Sequence, residues 1–179
     1  MNVEIRRPSV EDIKQVNEFF RMVILDTFTK EGIGEKTDDI HDEMTVKEKY
    51  LESDLDSNGE KRYFLIAFDG DKIIGSIAYG PASDLICECT NNTFKDLMEI
   101  GTVFVHPAYQ RMGIGNLLLN EMYVTLQSKG IEEFCLDSGY IRAQKIWKKK
   151  FGEPDFLLKD YWDEGSDHMI WRIKLNEVS

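Results

Sequence analysis

The run from Met98 to Gly130 constrains this chain more than any other stretch. Met98-Glu99-Ile100-Gly101-Thr102-Val103-Phe104-Val105 is β-rich and is broken off by His106-Pro107. A short loop with Gly113 and Gly115 follows, and from Asn116 to Lys129 the residues Leu118, Leu119, Met122 and Leu126 recur at helical spacing, with Gly130 as a stop. A glycine-bearing loop that opens a helix leaves backbone N–H groups without partners, at the end where the helix dipole favours negative charge. The spacing therefore predicts a phosphate site. No Gly-Lys pair occurs, which excludes a Walker loop, and Leu118 stands where a dinucleotide fingerprint needs its third glycine. His-Arg-Asp, Asp-Phe-Gly, Gly-x-Ser-x-Gly and His-Glu-x-x-His are absent as well.

Around this segment the pattern alternates. Val3 to Arg6 reads as a short strand closed by Pro8, with Ser9 at an N-cap position and Asp12 three residues on. Ile13, Val16, Phe19 or Phe20, Val23 and Ile24 mark a first helix ended by Lys30 to Gly34, and Asp38 to Leu55 a second, more polar one. Tyr63 to Phe68 and Ile73 to Tyr79 flank the turn Asp69-Gly70-Asp71-Lys72, which predicts a hairpin. Ala82 to Asp96 is polar and reads as connecting chain. Ile131 to Leu136 predicts a strand, Arg142 to Phe151 a helix, and Phe156 to Trp162 with Met169 to Leu175 two more strands. The expectation is one mixed α/β domain over residues 1–179, with helices covering a sheet.

Charge and cysteine content narrow the partners. With 22 Lys and Arg against 33 Asp and Glu the net charge is −11, which argues against nucleic acid. Eleven acids fall between Glu31 and Glu60 against Lys36, Lys47 and Lys49, either a field for a cationic substrate or a solvated face. Cys87, Cys89 and Cys135 are too few for a disulfide framework and have no companions for a zinc site, so no metal is expected. No run is long and apolar enough to span a membrane, and the first residues lack a signal-peptide core, so the expectation is a cytoplasmic chain without a membrane partner.

Gln110-Arg111-Met112-Gly113-Ile114-Gly115 resembles the Gln/Arg-x-x-Gly-x-Gly pyrophosphate loop of the general-control-related N-acetyltransferases, the GNAT superfamily. The likeness includes the strand ending at Val105-His106-Pro107, the helix after the loop, the next strand and the helix Arg142 to Phe151. It implies a GNAT-like acyl-CoA N-acyltransferase fold, with a central, mostly antiparallel sheet splayed in the middle and flanked by helices. It also implies acetyl-CoA as co-substrate, lying between the strand ending at Val105 and the strand Ile131 to Leu136. Main-chain groups of Val103, Phe104 and Val105 would pair with the pantetheine arm, N–H groups of Arg111, Met112, Gly113, Ile114, Gly115 and Asn116 would hold the pyrophosphate, and Gln110 would be a further cofactor-binding residue of the motif. A Cβ at Gly113 or Gly115 would stand between amide and phosphate. Arg111 is either a further phosphate ligand or a solvated surface residue.

An amine that attacks a thioester must first lose its proton, since alkylamines are mostly protonated at neutral pH. Glu99, 11 positions before Gln110, stands where several family members keep a catalytic glutamate; the competing reading is an ion-pair carboxylate. A main-chain N–H near Val105 would receive the oxyanion. The usual Asn-x-x-Ala-x-x-x-Tyr pattern is here Tyr140-Ile141-Arg142-Ala143-Gln144-Lys145-Ile146-Trp147, so Trp147 takes the tyrosine's place beside the coenzyme. Indole is no acid. Tyr140 or Tyr161 could protonate the leaving thiolate instead, or be packed structural tyrosines, or the thiolate could leave unaided. His106 either reaches the cofactor or is a structural loop residue, and Lys148 to Lys150 either meet the adenosine 3′-phosphate or form a solvated face. The partners implied are acetyl-CoA and the primary amine of a cationic small molecule. A protein amine, a non-catalytic acyl-CoA-binding role and a homodimer stay open.

Overall fold

The computed structural model describes residues 1–178. The elements run β1 (Val3–Arg6), α1 (Ile13–Lys30), α2 (Thr37–Ser57), β2 (Tyr63–Asp69), β3 (Lys72–Pro81), α3 (Asp84–Cys89) and β4 (Met98–Val105). They continue with α4 (Ile114–Ser128), β5 (Glu133–Ser138), α5 (Ile141–Phe151), β6 (Phe156–Asp163) and β7 (Ser166–Lys174). The strands order β1-β2-β3-β4-β5-β7-β6. Antiparallel pairing joins β1 to β2, β2 to β3, β5 to β7 and β6 to β7, whereas β4 and β5 are parallel, Met98 opposite Phe134 and Glu99 opposite Cys135. This is the mixed α/β sheet with flanking helices that the element order predicts, and its mostly antiparallel pairing is what the resemblance implies.

The chain forms two compact units, Met1–Tyr79 with Thr102–Val124, and Gly80–Gly101 with the chain from Thr125 onward. In the first, the Asp-Gly turn closes the β2–β3 hairpin, with Phe68 opposite Ile73 and Gly70 at φ +59°. Phe20 of α1 lies on the β2 ring of Phe64, centroids 5.9 Å apart, and edge-on to Phe104 of β4 at the same separation. Phe20, Phe64, Ile66, Ile74 and Leu118 are all but fully buried, and each such side chain contributes roughly 1.5–3 kcal/mol of burial. On β3, a Cβ at Gly75 would come within 2.8 Å of Leu118 Cδ1 and 3.0 Å of Ile114 Cγ2, so a bare backbone is what lets α4 approach the strand.

In the second unit, Ile86, Phe94, Cys135 and Ile170 form a core against which Leu97, Phe156 and Leu158 pack. The helix α5 caps β5 with Phe151 edge-on to Phe134 at 6.2 Å. Here the polar stretch Ala82 to Asp96 differs from expectation: it contains α3, which opens where the Ser83 side chain accepts the Ile86 N–H and is anchored by fully buried Ile86. Six residues are too few to show helical periodicity. Several boundaries also shift, and the strand expected over Met169 to Leu175 is Ser166–Lys174. The helix expected from Asn116 starts at Ile114, and the strand expected over Ile131 to Leu136 is Glu133–Ser138. Among the described residues, no helix is long and apolar enough to cross a membrane.

Candidate functional site

The first unit contains the loop. The side chain of Gln110 is used to shape it, since its Nε2 donates to the Val105 carbonyl at 3.5 Å while Lys30 Nζ donates to its Oε1 at 3.1 Å. Arg111 and Gly113 are both left-handed, at φ +65° and +84°. These two turns swing the chain into α4, whose first bond beyond the loop runs from Leu117 N–H to the Gly113 carbonyl at 3.1 Å. Among the described residues, the N–H groups from Arg111 to Gly115 donate to no backbone or side-chain acceptor. A Cβ on Gly113 would meet nothing within 4 Å, and one on Gly115 only Val105 Cγ2 at 3.9 Å. The loop thus presents unpartnered amides at a helix start with open space before them, which suits a diphosphate. Ile114 is buried and anchors the turn, while Arg111, Met112 and Asn116 are exposed.

Val103, Phe104 and Val105 lead into this loop and are each half-buried. Just before them, Thr102 is buried and left-handed at φ +50°, costly for a β-branched residue. Its carbonyl accepts from Ser76 Oγ at 2.9 Å, which holds the kink in place. This local kink is a feature that Gly101-Thr102-Val103 does not reveal as letters. His106 Nδ1 accepts the Ala108 N–H at 3.0 Å, and burial holds its pKa below the ordinary value.

The second unit contains Glu99, Tyr140 and Trp147. Glu99 Oε1 accepts the Ser83 N–H at 2.8 Å, so the carboxylate is oriented by the residue that caps α3. This is a partner that sequence reasoning missed, because α3 itself was not legible. Tyr140 starts α5: its N–H donates to Ser138 Oγ at 3.0 Å and its carbonyl accepts from Gln144 N–H at 2.9 Å. Trp147 is buried on α5 and stacks on Phe151 at 5.8 Å. Tyr161 is 42% exposed, and burial, then the neighbouring Cys89 and Glu88, raise its pKa, so it gives up a proton less readily than an ordinary tyrosine.

Close by in the same unit, His168 Nε2 lies 2.8 Å from Asp137 Oδ2 while Trp162 Nε1–H donates to Nδ1 at 3.1 Å. Both ring nitrogens are therefore used, which makes His168 a brace between β5, β6 and β7 rather than a free base. Periodicity gives no signal for it. Cys87, Cys89 and Cys135 are free thiols, and burial, then Glu99 and Asp137, push the Cys135 thiol upward. Among the described residues, no group of three or more His, Cys, Asp or Glu could hold a metal ion.

Solved structures of similar fold come from several organisms. A GNAT-family protein of Desulfovibrio desulfuricans matches with TM-score 0.71 at 18% identity, covering 97% of this chain and 99% of that one. The PaiA N-acetyltransferase of Thermoplasma acidophilum, solved with coenzyme A, matches with TM-score 0.69 at 22% identity, covering 97% and 99%. YncA of Salmonella typhimurium, solved with acetyl-CoA, matches with TM-score 0.67 at 15% identity, covering 98% and 95%. No curated protein sequence matches this chain. The sequence model of the acetyltransferase (GNAT) family matches residues 19–152, well over half of the chain. The chain belongs to the GNAT family of acetyltransferases.

Proposed function

We propose that this GNAT acetyltransferase passes the acetyl group of acetyl-CoA to a primary amine of a cationic small molecule, by direct attack and without a covalent enzyme intermediate. The observation that carries the reading is the set of unpartnered amides from Arg111 to Gly115, opened by Gly113 at φ +84° with nothing in front of it. Backbone amides at a helix start suit a diphosphate, and the two solved relatives that hold coenzyme A or acetyl-CoA support the same assignment.

In the turnover proposed here, Glu99 takes a proton from the ammonium group, directly or through water. The neutral nitrogen then bonds to the acetyl carbon, a main-chain N–H near Val105 receives the oxyanion, and the carbon–sulfur bond breaks. The thiolate takes a proton, for which Tyr140 is the proposed donor, and leaves as free coenzyme A, while the second proton that the nitrogen must lose to become an amide returns to the Tyr140 oxygen through water, and the first leaves Glu99 for solvent. Val103, Phe104 and Val105 would line the pantetheine arm through their main chain. Trp147, stacked on Phe151, would wall the coenzyme where the family's tyrosine stands. The acidic stretch Glu31 to Glu60 favours a cationic amine such as a polyamine, an aminoglycoside or an amino-acid derivative. Free Cys87, Cys89 and Cys135 accord with a reducing, cytoplasmic setting.

A panel of such amines incubated with acetyl-CoA tests the reading. Thiol release above protein-free controls with at least one of them is the expected result, and no release with any would overturn it. The alternative, a non-catalytic acyl-CoA-binding role, is favoured by Trp147 at the acid's position; calorimetric binding of acetyl-CoA without turnover would select it.

A further inference from the structure

Helix α2 turns one stripe inward, Ile40, Met44, Lys47, Leu51 and Asp54, at spacings of three and four. Ile40, Leu51 and Asp54 are buried there. Asp54 is explained, because Arg7 Nη2 donates to its Oδ1 at 2.9 Å. Lys47 is not. Its Nζ lies 5.3 Å from the centre of the Tyr50 ring and 5.8 Å from that of Phe104, and it is only half-exposed. Arg62, also half-buried, sets its Cζ 3.7 Å over the same Tyr50 ring.

Neither cation has a carboxylate partner among the described residues, in a chain with 33 acids and 22 bases. Two like charges sharing one aromatic ring repel each other, and ring quadrupoles compensate only in part. The pair is left without a carboxylate from the described residues of the protein. Its Lys47 lies beside Phe104, in the stretch of β4 assigned above to the pantetheine arm of the coenzyme, whereas the diphosphate is proposed for the amides after Gln110.

We propose that Lys47 and Arg62, stacked on Tyr50 beside Phe104, bind a carboxylate of the acceptor, so that the amine acetylated is one that also carries a carboxylate, an amino acid or a derivative of one. The Arg62 guanidinium supplies a planar fork for two carboxylate oxygens and the Lys47 ammonium a point charge. This rests on the acetyltransferase reading for its meaning but not for its test.

The test compares matched amines with and without a carboxylate, L-lysine against cadaverine and L-arginine against agmatine, by calorimetry on the free protein and on the protein saturated with coenzyme A. In at least one pair the carboxylated member is expected to bind tenfold tighter or more. Lys47→Met is expected to cut that preference below threefold, and Lys47→Arg to keep it, while coenzyme A affinity stays within twofold of wild type. Equal binding within both pairs, no binding in either, or a preference untouched by Lys47→Met would overturn the proposal. So would a tenfold loss of coenzyme A affinity in Lys47→Met, which would assign the two cations to the coenzyme. A Lys47-dependent preference in a protein that binds no coenzyme A would sink the acetyltransferase reading and leave this one standing.

Discussion

The carboxylate of Glu99 and the backbone N–H of Ser83 are joined by a 2.8 Å hydrogen bond, which ties a strand residue of β4 to the first turn of α3. An oriented carboxylate serves as a base only if its charge is available. Glu99→Gln keeps the shape and an acceptor oxygen for Ser83 but cannot take a proton, so kcat should fall on the order of 10²-fold or more with little change in affinity for coenzyme A. Steady-state kinetics beside calorimetry checks this, and an unchanged kcat would remove Glu99 from the base role.

Gly113 offers a test of the amide loop. At φ +84° an alanine is strained by about 1 kcal/mol, yet its Cβ would touch no protein atom within 4 Å. Gly113→Ala should therefore lower the melting temperature by only a few degrees while weakening coenzyme A tenfold or more, because the added methyl occupies the space before the amides. Thermal denaturation with and without the coenzyme separates the two effects.

Asp54 is fully buried and held by Arg7, which also donates to the Phe64 carbonyl at 2.8 Å. Removing Arg7 leaves an uncompensated charge inside the first unit. Arg7→Ala should destabilise the protein by about 3–5 kcal/mol, measured as the shift in a urea denaturation midpoint, and Arg7→Lys should recover only part because it lacks the fork.

Asp12 governs part of the acid limb of stability. Its carboxylate accepts from Arg6 Nη1 at 2.8 Å and from the Ser9 N–H at 2.8 Å, and the Arg6 hydrogen bond, foremost, holds its pKa below the usual carboxylate value. A depressed folded pKa means that the stabilisation is complete above the unfolded value, near 4, and is lost as the pH falls through the folded one. Asp12→Asn should cost about 1–2 kcal/mol at pH 7 and flatten the decline below pH 5. Denaturation midpoints at pH 7, 5 and 3.5 check both parts.

Local patterning carried much of the architecture. The hairpin around Asp69-Gly70, the helix ending at Gly130 and the strand ending at Val105 depend on nearest-neighbour signals of turn chemistry and periodicity, which are present in the letters. The turn from Gln110 to Gly115 was legible for the same reason, since its shape depends on nearby glycines and a helix start. The short α3 was not, because a single buried Ile86 and one cap fall below any periodic signal.

What the amino-acid order alone determined is the class of every element but the short α3, and a glycine-bearing turn before α4, because these follow from interactions within a few residues. Only tertiary structure decided the rest. It gave Glu99 its Ser83 partner, used both nitrogens of His168 between Asp137 and Trp162, kinked β4 at Thr102, and set Lys47 and Arg62 on one Tyr50 ring without a counter-charge. Apart from the backbone kink at Thr102, these pairings join residues from 6 to 31 positions apart or depend on which way a helix face turns. Sequence periodicity reports which side of an element is apolar; it does not report what that side meets.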